Sequence, residues 1–424
     1  MSSNNQDSNH EFRSLYPALD EDELARKSNA YLGNTGVSYR KELIVRSEGR
    51  SIWTASGHKF LDWTSGQMSC LLGHGHPEIV KVVAEHAAKL DHLSRECFHL
   101  LAFFLSTGGE SNEAAIKLAK VFTGKFEIVG LGASWHGMTA QALGVQYRYG
   151  RKGHGPNMPG MFALPAPNSY RSIFRNNYGS HDWEKEMIHA CIVECIQSSA
   201  GIHVLPPGYL KALKRECDKR GMLLIVDEAQ TGIGRSGDLM AIMHEGVVPD
   251  IVTLSKTLGN GLPLSAVVTS TEINDLCAKR GYCMYTTHAN DPLPCAVGDK
   301  VLEIVMRDNL VENVRALGNI LHAGLRNLQS KYNCIGDVRG RGLMAGVEIV
   351  SNRETKAADV ELGQQIAENA FRRGLWANLS SDSYFSGTLR MAPSITSTEE
   401  EILEGLRILD EAFATTPGTQ GLSA

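Results

Sequence analysis

Short apolar runs separated by helical patterns constrain the fold of this chain more than any other feature of its sequence. Between two of the runs, Pro207 suits the start of a helix and Gly221 suits its end, with apolar residues near one face in between. Strand, helix and strand in this order predict an α/β fold with a mainly parallel sheet covered by helices. The five runs are residues 127–131, 190–193, 222–226, 251–254 and 266–269.

The sequence pattern changes after Asp299. Long amphipathic helical patterns are followed there by two strand patterns around residues 336–350 and by a helical pattern at residues 397–413. This order predicts a second, smaller α+β unit, and 424 residues are enough for two domains. We expect an N-terminal arm with part of the small domain at residues 1–61, a large domain at 62–305 and the C-terminal small domain at 306–424.

The composition excludes several classes of function. A net charge of −5 gives no general basic field, so we expect neither a nucleic-acid partner nor a membrane partner. No apolar run has the length of a membrane span, and the polar N-terminus lacks the regions of a signal peptide, which predicts a cytoplasmic protein. Nine cysteines without a CxxC pair indicate reduced thiols rather than a disulfide framework or a zinc site.

Polar residues follow four of the apolar runs. Ligands of open parallel sheets bind at the carboxyl ends of the strands, so these residues are expected to lie at one edge and to form a site. They are Trp135 with His136, Glu194, Asp227 with Glu228, and Ser255 with Lys256.

The pair Lys256 and Asp227 suits pyridoxal 5'-phosphate (PLP). Lys256 by itself is compatible with a solvated surface charge, and Asp227 with a helix N-cap. If their strands are neighbours, however, a partly desolvated Lys256 acquires a depressed pKa and becomes a nucleophilic amine for Schiff-base chemistry. A buried Asp227 would keep the pyridine nitrogen of PLP protonated, which this cofactor needs in order to accept electrons.

A phosphate site and a ring platform are indicated nearby. Residues 105–120 (LSTGGESNEAAIKLAK) run from two glycines into a helix, whose first N–H groups and dipole attract a phosphate, although many such glycines only turn the chain. Trp135 is compatible with a core position or with stacking on a cofactor ring. Arg390 is compatible with a surface ion pair or with a two-pronged contact to a substrate carboxylate. His74 and His76 lie in a glycine loop without further ligands at suitable spacing, so we interpret them as turn residues.

Five motifs together resemble the class-III PLP-dependent aminotransferases over roughly residues 40–410. The motifs are DEAQTGIGRSG, SKTLGNGLPL, STGGESNEAA, SWHGMT and TTHANDPLP. Within this class, DWTSGQMSCLLGHGHPEIV, YTTHANDPLPCAVG and CIGDVRGRGLMAGVEIV look most like 2,2-dialkylglycine decarboxylase. The resemblance implies fold type I, the aspartate aminotransferase-like fold, in which the large domain binds PLP on a mainly parallel seven-stranded sheet.

The resemblance also implies roles around the cofactor. Lys256 would bond to the cofactor aldehyde and carry a proton, Asp227 would pair with the pyridine nitrogen, and Gln230 would contact the phenolic oxygen of the ring. Trp135 would stack on the ring and belong to the catalytic set. The phosphate would be bound by Thr107, Gly108 and Gly109, and by Thr287 contributed from a second copy of the chain, which implies at least a homodimer and allows a homotetramer.

On the substrate side, the resemblance implies that Arg390 binds a carboxylate, that Gln67 faces the group aligned for cleavage, and that Ser199 is a further contact. Glu228 would not touch the ring. The main expectation is a decarboxylating aminotransferase that converts a dialkyl amino acid and pyruvate into a ketone, CO₂ and alanine. Two alternatives stay open: a plain class-III transaminase of an amine or ω-amino acid, and an inactive paralogue.

The last alternative arises because the sequence departs from the pattern of the family. Residues 94–105 and 182–194 are each shorter than that pattern by roughly one helix, and a helix lost from a parallel sheet would expose apolar surface. The decarboxylase has an alkali-metal site to which Asp291 corresponds, but Arg95 stands where a serine ligand is expected. A cation there would replace the metal, so we predict no metal.

Overall fold

The structure is a computed structural model that describes residues 22–23, 26–27, 40, 42–90, 92, 102–146, 155–168, 170, 192–380 and 387–419. Most of the expected N-terminal arm, Arg95 and most of the two shortened segments therefore lie outside the described residues. Of the helices within these ranges, none combines the length and the apolar composition that crossing a membrane requires.

Eighteen strands form four sheets in the described part of the chain. The central sheet has seven strands in the order β4-β12-β11-β10-β7-β5-β6, and β12 is antiparallel to both of its neighbours while the other pairs are parallel. The other sheets are β1-β2-β3-β16, β13-β14-β18-β17 with β15 beside β14, and β8-β9. The strands are β1 (Ile44–Glu48), β2 (Ser51–Thr54), β3 (Lys59–Asp62), β4 (Ala102–Leu105), β5 (Ile128–Leu131), β6 (Met161–Leu164), β7 (Ile192–Glu194), β8 (Ile196–Gln197), β9 (His203–Val204), β10 (Ile225–Asp227), β11 (Ile251–Leu254), β12 (Ser265–Thr269), β13 (Ile335–Arg341), β14 (Met344–Asn352), β15 (Ala357–Ala358), β16 (Leu375–Trp376), β17 (Asn378–Ser380) and β18 (Thr388–Met391).

Nine α-helices of right-handed geometry accompany these strands in the described ranges. The capping boxes of α2 and α9 use Thr107 with Glu110 and Thr398 with Glu401, which satisfy N–H groups that a helix start leaves open. The helices are α1 (Pro77–Ala87), α2 (Gly108–Thr123), α3 (Ala140–Val145), α4 (Tyr209–Lys219), α5 (Thr271–Lys279), α6 (Pro292–Arg307), α7 (Leu310–Lys331), α8 (Val360–Arg372) and α9 (Glu399–Thr415).

The central sheet is packed on both faces. Along β10, Ile225 lies in a core cluster with apolar residues of α2 and α5, whereas Val226 lies in a second cluster with Leu210 and Leu213 of α4. Side chains of successive strand residues point to opposite faces, so this alternation requires cover on both sides. The described helices supply that cover around the strands that carry the candidate site.

The α/β fold with a mainly parallel seven-stranded sheet is confirmed, although some boundaries differ. The run at 222–226 was expected to be a strand as a whole, but β10 begins at Ile225 and includes Asp227 as its last residue. The helix after Pro207 begins at Tyr209, because Gly208 before it has a φ of 83°. The sheet β1-β2-β3-β16 joins the N-terminal region to the C-terminal one, while the domain boundaries stay a prediction.

Candidate active site

A cavity of about 350 Å³ lies at the carboxyl ends of β5, β10 and β11 and at the start of α2. This is the position where open parallel sheets bind ligands. Eight of the residues expected at the site line it: Thr107, Gly108, Gly109, Trp135, His136, Asp227, Ser255 and Lys256. Because β10 and β11 pair directly, the condition that the strands before Asp227 and Lys256 are neighbours is met.

Lys256 lies in a strained and poorly hydrated position. It follows β11 with a φ of 29°, in the left-handed region that non-glycine residues rarely adopt. Burial lowers the pKa of Lys256, and the charge of Arg390 acts in the same direction, against the opposing effects of Asp227 and Glu194. The net lowered pKa makes the neutral, nucleophilic form of the amine more accessible.

Asp227 is a buried carboxylate held in its anionic form. Burial acts to raise the pKa of Asp227, but hydrogen bonds with His136 and Asn112 and from the Ala229 N–H lower it, and the net shift is downward. His136 Nδ1 and Asn112 Nδ2 each lie 2.8 Å from Asp227 Oδ2, and the Ala229 N–H lies 3.0 Å from Oδ1. A cationic ring nitrogen in the cavity would find a fixed counter-ion there.

The start of α2 has the geometry of an anion site. Thr107 caps the helix by accepting from the Glu110 N–H, which leaves the N–H groups of Gly108 and Gly109 in the first turn at the cavity. A Cβ atom on Gly137 would lie 2.6 Å from Gly109 Cα, and one on Gly108 would lie 2.7 Å from Ser255 Oγ. Ser255 Oγ is buried without a hydrogen-bond partner among the described residues. These small residues and the open hydroxyl fit a phosphate.

Glu194 fixes the backbone at Trp135 and at Ser198. Its Oε1 accepts from the Trp135 N–H at 2.8 Å and its Oε2 from the Ser198 N–H at 3.3 Å. Burial raises the pKa of Glu194 to about 7, against the lowering effect of His136. Sequence reasoning marked Glu194 only as a polar residue after a strand and gave it no partner.

The raised pKa of Glu194 predicts a pH-dependent stability effect for Glu194→Gln in the cofactor-free protein. Because the folded pKa exceeds the ordinary value, ionised Glu194 costs stability that appears as pH rises from 4.5 to about 7. The variant removes this cost, on the order of 3 kcal/mol, but loses an acceptor at every pH. We therefore expect the free energy of unfolding of Glu194→Gln, relative to that of the wild type, to be more favourable at pH 8 than at pH 5. Urea unfolding at the two pH values measures this difference. A difference that is equal at both pH values would contradict the raised pKa.

Arg390, Ser198 and Gln230 form a set connected by hydrogen bonds. Arg390 Nη2 donates to Ser198 Oγ at 3.2 Å, and Ser198 Oγ donates to Gln230 Oε1 at 2.6 Å. Ser198, to which the sequence analysis gave no role, is thus in contact with Arg390, whereas its neighbour Ser199 was expected to contact the substrate. Ser199 is partly buried, and its carbonyl accepts from Ser380 Oγ at 3.5 Å, so its expected contact with substrate stays a prediction.

Gln67 is exposed and lies outside the residues that line the cavity. It belongs to a left-handed turn, Ser65–Met68, in which four successive residues have φ values between 45° and 66°. Asp62 holds the turn by accepting from the Thr64 and Gly66 N–H groups and from His74, whose pKa is raised to about 10 by this contact. His74 is therefore a residue that stabilises the turn, as expected.

Thr287 is also exposed in the single chain, so the phosphate contact expected of it depends on a second copy. In the same segment, both oxygens of Asp291 are engaged by imidazoles: His92 Nδ1 lies at 2.5 Å and His288 Nδ1 at 2.6 Å. The expected absence of a metal there stays a prediction.

Two residues that hold Asp227 were given no role from the sequence. Asn112 lies within α2, where its side chain donates to both the His136 carbonyl and Asp227 and accepts from Thr253 Oγ1 at 2.7 Å. A buried asparagine within a helix that is otherwise apolar on that face was the available signal, because Asn is unfavourable there without partners. His136 was noted beside Trp135, but its contact with Asp227 depends on the pairing of strands far apart in sequence.

Comparison with known proteins extends over nearly the whole chain. A sequence model of the family described as aminotransferase class-III matches residues 34–413. An uncharacterized aminotransferase of Schizosaccharomyces pombe is 42% identical over 94% of this chain and 96% of its own length. An acetylornithine aminotransferase of Caldanaerobacter subterraneus is 35% identical over 88% and 94%. A crystal structure of an (S)-enantioselective omega-transaminase from Thermomicrobium roseum superposes with a TM-score of 0.83 at 29% identity, covering 94% of this chain and 100% of that one.

Proposed function

Because the chain belongs to the class-III aminotransferases, which are PLP-dependent enzymes, we propose that it is a plain transaminase that moves the amino group of an amine or ω-amino acid to a 2-oxo acid. The observation that carries this proposal is the cavity in which an amine with a lowered pKa, Lys256, and an anionic carboxylate, Asp227, occur together at the start of a helix that fits a phosphate.

The residues present fit the cofactor. When bound, PLP supplies an aldehyde that reacts with amines and a ring that accepts the electrons of the bond being broken. Gly108, Gly109 and Ser255 offer donors to its phosphate, and Asp227 offers a counter-ion to its ring nitrogen. Trp135 lines the cavity with its backbone fixed by Glu194, which suits a ring platform.

Lys256 and Arg390 have different tasks in the proposed reaction: Lys256 transfers a proton and Arg390 binds a carboxylate. The lowered pKa of Lys256 suits it to take the proton from the carbon that bears the amino group of the donor. In the second half-reaction it would give a proton to the corresponding carbon of the acceptor. Arg390 donates to one carboxylate of the acceptor and sets its orientation, which a planar guanidinium does with two parallel hydrogen bonds. The charge of Arg390 also acts to lower the pKa of Lys256, so the two side chains are electrostatically coupled.

Transamination without decarboxylation is favoured over the decarboxylating expectation by two observations. The relatives are named as aminotransferases and an omega-transaminase, and one of them is named for acetylornithine, a compound that carries an ω-amino group. In addition, Gln67, the residue on which decarboxylation was expected to depend, is exposed in the single chain. Both observations support the alternative of an amine or ω-amino acid donor.

An end-point assay with the PLP-loaded protein separates the two reactions. We expect alanine or glutamate to form when 4-aminobutyrate, N-acetylornithine or 1-phenylethylamine is supplied with pyruvate or 2-oxoglutarate, and no CO₂ to be released from 2-aminoisobutyrate with pyruvate. The products are quantified by chromatography and the gas by trapping labelled CO₂. Reactions without an acceptor serve as controls.

Release of CO₂ in proportion to alanine would contradict plain transamination and support decarboxylating transamination instead. A protein that binds PLP and folds but forms neither product with any donor would support the inactive paralogue. We also propose an oligomer of at least two chains, because the exposed Thr287 contributes to a phosphate site only if it reaches the cavity of another copy.

A further inference from the structure

We propose that Ser198 is a positioning residue that couples the substrate-binding guanidinium of Arg390 to the amide of Gln230, so that capture of a carboxylate changes the environment of the cofactor ring. The proposal rests on the proposed function, in which Arg390 binds the carboxylate and Gln230 faces the phenolic oxygen of the ring. In this proposal Ser198 itself contacts neither the substrate nor the cofactor. Its role is to transmit the effect of substrate binding at Arg390 to Gln230.

The direction of the hydrogen bonds in this set is fixed by the chemistry of arginine. A guanidinium can only donate, so Ser198 Oγ accepts from Arg390 Nη2 at 3.2 Å. The single hydroxyl proton of Ser198 is then available for Gln230, 2.6 Å away, and the oxygen of that amide must face it. The NH₂ group of Gln230 is consequently turned away from Ser198, as a donor.

A donor is the group that a ring oxygen carrying negative charge requires. The chain Arg390 to Ser198 to Gln230 begins at a cation, and each hydrogen bond in such a chain strengthens the next. With Arg390 on Ser198, the amide NH₂ is polarised and stabilises the deprotonated ring oxygen. When a substrate carboxylate neutralises Arg390 and competes for its donors, this stabilisation weakens.

The surroundings of Ser198 fix its position, so its hydroxyl has little freedom to find other partners. Its side chain has no solvent exposure, its N–H donates to Glu194, and its carbonyl accepts from the Gly201 and Ile202 N–H groups. Met68 Sδ also lies 3.3 Å from this hydroxyl, but a thioether is a weak acceptor. The hydroxyl is therefore held between Arg390 and Gln230. These three residues and their two hydrogen bonds form a relay.

The test compares the PLP-loaded wild type with Ser198→Ala, using propionate as an unreactive carboxylate. The matched control is Ser236→Ala, because Ser236 is also a buried serine but lies outside the residues that line the cavity. The visible absorbance of the cofactor is titrated with pH, with and without saturating propionate. We expect propionate to raise the pH midpoint of the band in the wild type and in Ser236→Ala. The shift is expected to be clearly smaller in Ser198→Ala, where only the direct effect of the Arg390 charge on Lys256 remains.

Ser198→Cys keeps the size of the side chain and a weak donor, so it is expected to show an intermediate shift and guards against a folding defect in the alanine variant. An active enzyme whose midpoint shifts equally in Ser198→Ala would overturn the relay and leave the proposed function standing. A wild type whose midpoint shifts with propionate through Ser198, but which transfers no amino group, would overturn the proposed function and support the relay.

Discussion

Lys256→Ala is expected to lower the rate of amino transfer by at least about 10⁴-fold, the upper end of what one positioned acid–base group supplies. The variant loses the proton carrier and also the amine that bonds to the cofactor, so two contributions disappear together. Cofactor binding is expected to persist, because the phosphate donors at Gly108 and Gly109 and the counter-ion Asp227 are unchanged.

The measurement combines the transamination rate with borohydride reduction and mass spectrometry, which report a covalent bond at Lys256 in the wild type and none in the variant. Lys120→Ala is the matched control: burial also lowers the pKa of Lys120, but this side chain donates to Gln141 at 2.7 Å and lies outside the residues that line the cavity. Equal losses in both variants, or a covalent bond that persists in Lys256→Ala, would remove Lys256 from its proposed role.

The fold was predictable from the sequence because its strongest signals are local. Apolar runs of strand length mark the buried strands of a parallel sheet, since both of their faces must be covered. The precise ends were less predictable: Met222 and Leu223 are as apolar as Ile225, yet β10 begins only where it can pair with β7 and β11. Strand pairing is decided by distant residues, which a local pattern does not contain.

The residues of the candidate site were likewise predictable only where the signal in the sequence is local. Lys256, Asp227 and the glycines before α2 are marked by their place at strand and helix ends, and the structure brings them to one cavity. Ser198 differs from Ser199 only by one position, and which of the two faces Arg390 depends on how β18 lies against the turn after β8. The left-handed conformation of Gln67 likewise depends on Asp62 and His74, a contact that the sequence of the turn does not show.

The acidic pair Asp227 and Glu228 allows a sharp test of the cofactor site, since adjacent residues have different partners. Asp227 is bonded to His136 and Asn112 at the cavity, whereas Glu228 is bonded to Thr231, the Ile242 N–H and the Cys195 thiol away from it. Burial raises the pKa of Glu228, opposed by these hydrogen bonds, while the net shift in the pKa of Asp227 is downward. Only Asp227 offers a stable anion to a ring nitrogen.

Asp227→Asn is therefore expected to lower kcat/KM roughly 30- to 5,000-fold, the range that corresponds to about 2–5 kcal/mol for removing one partner of a buried charge pair. Asparagine keeps the shape but cannot stabilise a protonated ring nitrogen, so the pH dependence of the visible cofactor band should change as well. Glu228→Gln should leave that band and kcat/KM close to the wild type and act mainly on the melting temperature. If Glu228→Gln changed the band as much as Asp227→Asn, the two acids would serve one structural purpose, and the assignment of Asp227 to the ring nitrogen would fail.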